Sequence, residues 1–115
     1  MAFSETERKK YETLVSAFVE KRRPPEHIRP QLDIGFRIKG QSVEIFEFRP
    51  AFINPDVKME SPVAKATYVR TQRVWKVYWQ KRDLKWHSYP LESEVRDFEK
   101  FLELVDDDEL CCFWG

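Results

Sequence analysis

Glycine, histidine and cysteine are scarce in this chain, and no long apolar run occurs in it. The three glycines, Gly35, Gly40 and Gly115, are too few and too dispersed to build a phosphate-cradling loop of the Walker or dinucleotide kind. The two histidines, His27 and His87, supply no His-Glu-x-x-His site, and neither a Cys-x-x-Cys pair nor a nucleophile elbow is present. The two cysteines, Cys111 and Cys112, are adjacent, and adjacent residues rarely close an unstrained disulfide. A reducing, cytoplasmic location is therefore expected. Without about 18 consecutive apolar residues no membrane span is expected. Without an apolar stretch near the first residues no signal peptide is expected either. No cofactor motif remains, so none is predicted.

What the chain does have is aromatic residues. Nine Phe, four Trp and four Tyr in 115 residues suffice for one aromatic-rich core, and the length is too short for two domains. The 20 basic and 20 acidic side chains balance, but they are unevenly placed. Residues 65–89 carry seven Lys or Arg against Asp83 alone, whereas residues 91–109 carry nine Asp or Glu against Arg96 and Lys100. Such asymmetry marks either a basic binding face or two segments that lie close and offset one another.

Ser4 followed by Glu7 is a capping-box signature, and Tyr11, Leu14, Val15, Phe18 and Val19 form one helical stripe. A helix is predicted from about Ser4 to Arg22, stopped by Pro24-Pro25. Ile34, Phe36 and Ile38 alternate with polar or small residues as a strand, and Val43, Ile45, Phe46 and Phe48 lie on the return strand. A three-residue loop at Gly40-Gln41-Ser42 would set Phe36 opposite Phe46 and Asp33 opposite Arg49; a two-residue loop would pair Phe36 with Ile45. The charge pair favours the first. Residues 50–62, with Pro50, Pro55 and Pro62, read as an irregular connection.

Three further strands are predicted at about 64–70, 74–80 and 85–89, joined by turns at Thr71-Gln72-Arg73 and Arg82-Asp83. A final helical period runs through Leu91, Val95, Phe98, Phe101, Leu102 and Val105, with Ser93 as N-cap. The sum is one α+β domain over residues 1–115: an antiparallel sheet of about five strands flanked by an N-terminal and a C-terminal amphipathic helix.

With those turns, Val69, Trp75, Val77, Trp79 and Trp86 collect on one face of the sheet. Tyr68, Arg70, Lys76, Tyr78, Lys85, His87 and Tyr89 collect on the other, together with Gln80. That mixture of stacking rings and cations has the composition of a surface for single-stranded nucleic acid, and a protein partner would also fit it. The leading expectation is a non-enzymatic binding or interaction domain using this basic-aromatic face. The competing one is an enzyme: a metal-dependent nuclease at Asp33, Glu44 and Glu47, or a hydrolase using His87 as general base. Arg49, two residues beyond Glu47, is a poor substitute for the proton-shuttling Lys that such nucleases need. Asp106 to Glu109 lacks the ligand alternation and the Gly of a calcium loop and reads as a solvated turn. Phe113 and Trp114 are expected to dock the C-terminus onto the core.

Several blocks carry a family likeness: Phe18 to Pro25, Gly40 to Glu47, Val63 to Val69, Val74-Trp75-Lys76, Lys85-Trp86-His87-Ser88-Tyr89 and Cys111 to Gly115. Together they resemble a group of small bacterial proteins known as the domain of unknown function numbered three thousand and twenty-four. The resemblance spans essentially the whole chain and implies a bacterial, single-domain, stand-alone protein. It implies no activity, substrate or site residue.

Overall fold

The computed structural model describes residues 3–114 apart from Phe52, Pro55 and Arg82. Pro55, Arg82 and Gly115, which enter the sequence reading, lie outside the described residues. The elements are α1 (Glu5–Arg22), β1 (Asp33–Lys39), β2 (Ser42–Pro50), β3 (Lys58–Val69), β4 (Val74–Gln80), β5 (Trp86–Ser88), β6 (Glu94–Val95) and α2 (Phe98–Asp107). The strands form an antiparallel meander in the order β1-β2-β3-β4-β5. β6 pairs with β4 beyond the end of β5, so the two short strands share one edge. This is the predicted α+β layer, with a helix at each end of the chain.

The capping box forms as read: Ser4 Oγ accepts the Glu7 N–H at 3.2 Å, and Glu7 Oε1 accepts the Ser4 N–H at 3.0 Å. Val15 and Val19 bury fully against the sheet, while Leu14 and Phe18, from the same stripe, are half-buried at the margin of α2. At the far end of α1, Arg23 donates two 2.8 Å hydrogen bonds to the Asp33 carboxylate and so ties the helix to the start of β1. Trp75 sits at the centre of the core. Its ring centroid lies 4.8 Å from Tyr11, 4.9 Å from Phe98, 5.2 Å from Tyr68 and 5.7 Å from Phe3.

The register differs from the sequence expectation in three places. The β1–β2 hairpin turns through Gly40 and Gln41, with Gly40 at φ 61, so Phe36 pairs with Ile45 and Asp33 with Phe48. Burial of both Phe36 and Ile45 on the helix side outweighs an exposed Asp33–Arg49 pair, which solvent would screen. Gly35 then lies under Phe46 and Phe48, whose rings meet edge to face at 5.0 Å. A Cβ on Gly35 would stand 2.9 Å from each ring.

The β3–β4 loop spans Arg70 to Arg73, with Arg73 at φ 55 and its N–H bonded to the Val69 carbonyl at 2.8 Å. Val69 therefore pairs with Val74 and Tyr68 with Trp75, one residue away from the expected register. Likewise Gln80 pairs with Trp86 and Trp79 with His87, with Leu84 at φ 63 in the turn between them. Because side chains alternate at every residue, each slip exchanges the two faces of a strand.

Two boundaries also move. β3 begins at Lys58, not near 64, so much of the expected irregular connection is paired strand. Pro62 is tolerated there because it flanks a bulge: Ile45 pairs with Ala64 and Phe46 with Pro62, leaving Val63 as the extra residue. α2 starts at Phe98 with Asp97 as N-cap, not at Ser93. Val95 belongs to β6 opposite Trp75, and Leu91 is exposed. The open edge of β4 captures the backbone around Val95 before the helical period begins.

After α2 the chain turns at Asp108, which is left-handed at φ 43. The Asp108 carboxylate accepts the Phe113 and Trp114 N–H groups, each at 3.0 Å. The Trp114 indole N–H donates to the Val105 carbonyl at 2.8 Å. Phe113 is buried against Tyr89, as the sequence led one to expect, and Trp114 is half-buried beneath the Arg22 guanidinium at 4.2 Å.

Two stability outcomes follow from this packing. Phe101→Ala empties a fully buried site and is expected to cost about 3–5 kcal/mol in urea unfolding, with the half-buried Phe18→Ala clearly less costly. Equal costs would contradict the burial described. Asp108→Ala removes two charge-assisted hydrogen bonds and is expected to cost about 1–3 kcal/mol, with tryptophan emission shifting red as Trp114 loosens. An unchanged melting curve would show that the tail is not held by Asp108.

Candidate binding face

Pairing and alternation divide the sheet into two surfaces. Ile34, Phe36, Ile38, Val43, Ile45, Ala64, Ala66, Tyr68, Trp75, Val77, Trp79, His87 and Tyr89 belong to the side that carries both helices. The opposite side carries Arg37, Lys39, Ser42, Glu44, Phe46, Lys65, Thr67, Lys76, Tyr78, Gln80, Trp86 and Glu94. Among the described residues no helix covers this second side.

The seven residues expected on one basic-aromatic face are therefore not brought together. Lys76 and Tyr78 remain on the open side. Lys85 is exposed in the turn before β5, where its N–H donates to Asp83 Oδ1 at 2.9 Å. Tyr68 lies on the helix side against Trp75. Tyr89 is fully buried against Phe113, with ring centroids 4.7 Å apart. Burial pushes its hydroxyl pKa up, reinforced by the nearby Cys112 and Asp108. His87 is half-buried on the helix side, its ring 6.4 Å from Trp79 and its Nε2 2.9 Å from Asp83 Oδ2. Arg70 stands in the β3–β4 loop and donates hydrogen bonds of 3.0 and 2.7 Å to the Glu7 carboxylate. The one-residue slips described above account for all three misplaced rings.

In their place the structure assembles Lys65, Tyr78 and Trp86, contributed by three adjacent strands. Lys65 Nζ lies 5.7 Å from the Tyr78 ring centroid and 5.6 Å from that of Trp86. All three side chains are half-buried, and among the described residues no carboxylate forms an ion pair with Lys65. Lys76 next to them is paired with Glu94, which raises its pKa. The sequence did hold a signal for Lys65. Ala64 and Ala66 alternate with Lys65 and Thr67, which sends the small apolar pair inward and the polar pair outward. Trp86 gave no such signal, because only the turn length decides its face.

The second half of the open side is closed by its own contacts. Arg37 lies 4.6 Å over the Phe46 ring and pairs with Glu60. Ser42 and Thr67 share a hydroxyl hydrogen bond of 2.7 Å between the two halves. The carboxylates considered for metal-dependent chemistry do not converge. Asp33 is held by Arg23, and Glu44 and Glu47 fall on opposite faces of one unbroken register. Among the described residues no group of three or more His, Cys, Asp or Glu side chains could hold a metal ion. No helix among the described residues is long and apolar enough to cross a membrane.

The chain is thus an α+β protein of the helix-backed meander class, with one sheet face covered and one open. A family model described as "Domain of unknown function (DUF3024)" matches residues 3–115, and the chain belongs to that family. No curated protein and no solved structure matches it.

The ion pair between Arg70 and Glu7 makes α1 docking sensitive to acid. The Arg70 guanidinium, helped by the Ser4 backbone N–H, holds the Glu7 carboxyl down at about 2 from the ordinary 4.5. A carboxyl whose folded pKa is depressed contributes stability that is present above its unfolded value and lost as pH falls through its folded value. Glu7 should therefore contribute fully above about 4.5 and progressively less toward about 2. Urea midpoints across that range should fall more steeply for the wild type than for Glu7→Gln. Parallel pH profiles would rule out the assignment.

Proposed function

We propose that this protein is a small non-enzymatic binding domain whose open sheet face takes single-stranded nucleic acid. Tyr78 and Trp86 are the stacking surfaces in this reading, and Lys65, Lys76 and Lys85 contact phosphate. The observation that carries it is the placement of Lys65 within 6 Å of two ring centroids on the uncovered side, with no carboxylate ion pair to it among the described residues. A base laid on either ring would bring its phosphate within reach of that ammonium. Stacking adds about 1–3 kcal/mol per base and tolerates any sequence, because every base has a π-face. Ser42, Thr67 and Gln80 on the same face supply neutral hydrogen-bonding groups around the rings. Tyr68, Tyr89 and His87 support the sheet from behind and touch no ligand in this reading. A cytoplasmic setting, in which the free Cys111 and Cys112 remain thiols, belongs to the same proposal.

Fluorescence anisotropy with short labelled RNA and DNA oligonucleotides at about 50 and 200 mM salt tests it. Binding should weaken with salt through counterion release. Trp86→Ala should weaken it at both salt concentrations, because stacking is not an ionic interaction. Lys65→Gln should mainly flatten the salt dependence. No binding above background at the lower salt would overturn the nucleic-acid reading and leave a protein partner as the ligand of this face.

A further inference from the structure

We infer that the helical layer, on the side away from the open sheet face, joins two copies of this chain through a two-fold interface. The helices run parallel. Tyr11, in the first half of α1, meets Phe98 at the start of α2, with ring centroids 5.3 Å apart, and Arg22 pairs with Asp106 at their C-terminal ends at 2.7 Å. A crevice between them opens into two recesses of about 560 and 500 Å³ that share Glu99. Leu14, Phe18 and Leu102 line its apolar part.

The two rims carry opposite charge. Lys10 and Lys21 line the α1 side, whereas Glu99 and Glu103 line the α2 side. Among the described residues Lys10, Lys21 and Glu99 form no ion pair within the chain, and Glu103 reaches only its helix neighbour Lys100 at 3.5 Å. A two-fold axis running along the crevice, parallel to the helices, turns this layer onto its copy without reversing the helix direction. It lays α1 of one copy on α2 of the other, so each basic rim faces an acidic rim and the half-buried Leu14 and Phe18 side chains of one copy close over Leu102 of the other. The surface is its own complement, which is what an isologous interface requires.

At 1.5 Å per residue the 18 residues of α1 and the 10 of α2 span roughly 27 and 15 Å, so the two helices side by side cover roughly 400 Å² per copy. About 800 Å² in total is below the standard size of specific interfaces and suits a weak, transient one, so the dimer should form and dissociate with chain concentration. It is a back-to-back arrangement: both sheet faces point outward and remain free, and the inference does not depend on what they bind.

Sedimentation and light scattering on the full chain over micromolar to millimolar concentration provide the test, using two double variants at exposed positions. Lys10→Glu with Lys21→Glu makes both rims acidic; Glu99→Lys with Glu103→Lys makes both basic. Each alone should raise the dimer dissociation constant by about tenfold or more. A one-to-one mixture of the two restores opposite rims at both contacts and should associate like the wild type, with raised salt weakening both. Circular dichroism checks that each variant is folded. A wild type that stays monomeric at millimolar concentration, a dimer indifferent to both reversals, or a mixture that fails to associate would each overturn the inference.

Discussion

The arrangement depends on one indole. Trp75 lies in the middle of β4, on the helix side, and four aromatic rings from four parts of the chain close on it: Phe3 before α1, Tyr11 within it, Tyr68 on β3 and Phe98 at the start of α2. Val95 of β6 is its partner across the sheet edge. Val15 and Val19 of α1 and Phe101, Leu102 and Val105 of α2 bury around it on the same side of the sheet. A single large side chain on β4 that meets both helices, β3 and β6 makes their positions interdependent and gathers most of the apolar core on one side of the sheet. The other side is open as a consequence.

The balance of charge has the same logic. The chain has no net charge, and many of its ion pairs join separate elements: Glu7 to Arg70, Arg23 to Asp33, Arg22 to Asp106, Lys76 to Glu94. The acidic and basic segments noticed in the sequence offset one another in part, as in the Lys76–Glu94 pair. Exposed pairs of this kind contribute little each, but they orient α1 at both ends relative to the sheet. Cations without such partners are therefore informative about function. Among the described residues, Lys65 is one on the sheet side, and Lys10 and Lys21 are others on the helix side.

The α+β class, the order of elements, the capping box at Ser4 and Glu7, the α1 stripe and the docking of Phe113 were all legible in the sequence. Each is set by local chemistry: a cap three residues from its partner, a period of 3.6, or a large apolar side chain that water disfavours. The faces of β3 and β5 were not legible, because each depends on a single residue more or less in a loop. Arg73 and Leu84 adopt left-handed conformations that neither residue type advertises. Glycine or asparagine at those positions would have announced the turn. The start of α2 was hidden for a different reason, since Leu91 and Val95 fit a helical period and only the free edge of β4 claims the backbone there.

These misplaced faces bear directly on the site. The expected surface and the observed one have the same kind of composition, rings interleaved with lysines, yet they share only Lys76, Tyr78 and Gln80 as sheet positions. Where apolar and aromatic residues occur on both faces of a strand, hydrophobic alternation cannot choose between registers, and the turn decides. β4 reads Val74, Trp75, Lys76, Val77, Tyr78, Trp79, with large side chains on either side. Its true inner face is marked by the small partners opposite it, Ala64 across from Trp79 and Ala66 across from Val77. Two alanines beneath a layer of large rings are a packing signal: volume must be conserved across facing positions, so small residues on one strand belong opposite large ones on the next. Applied to β3, that rule puts Ala64 and Ala66 inside and Lys65 outside without any knowledge of the loop. Tyr78 follows Lys65 outward by alternation on β4, and the β4–β5 turn then brings Trp86 to the same face, beside that lysine.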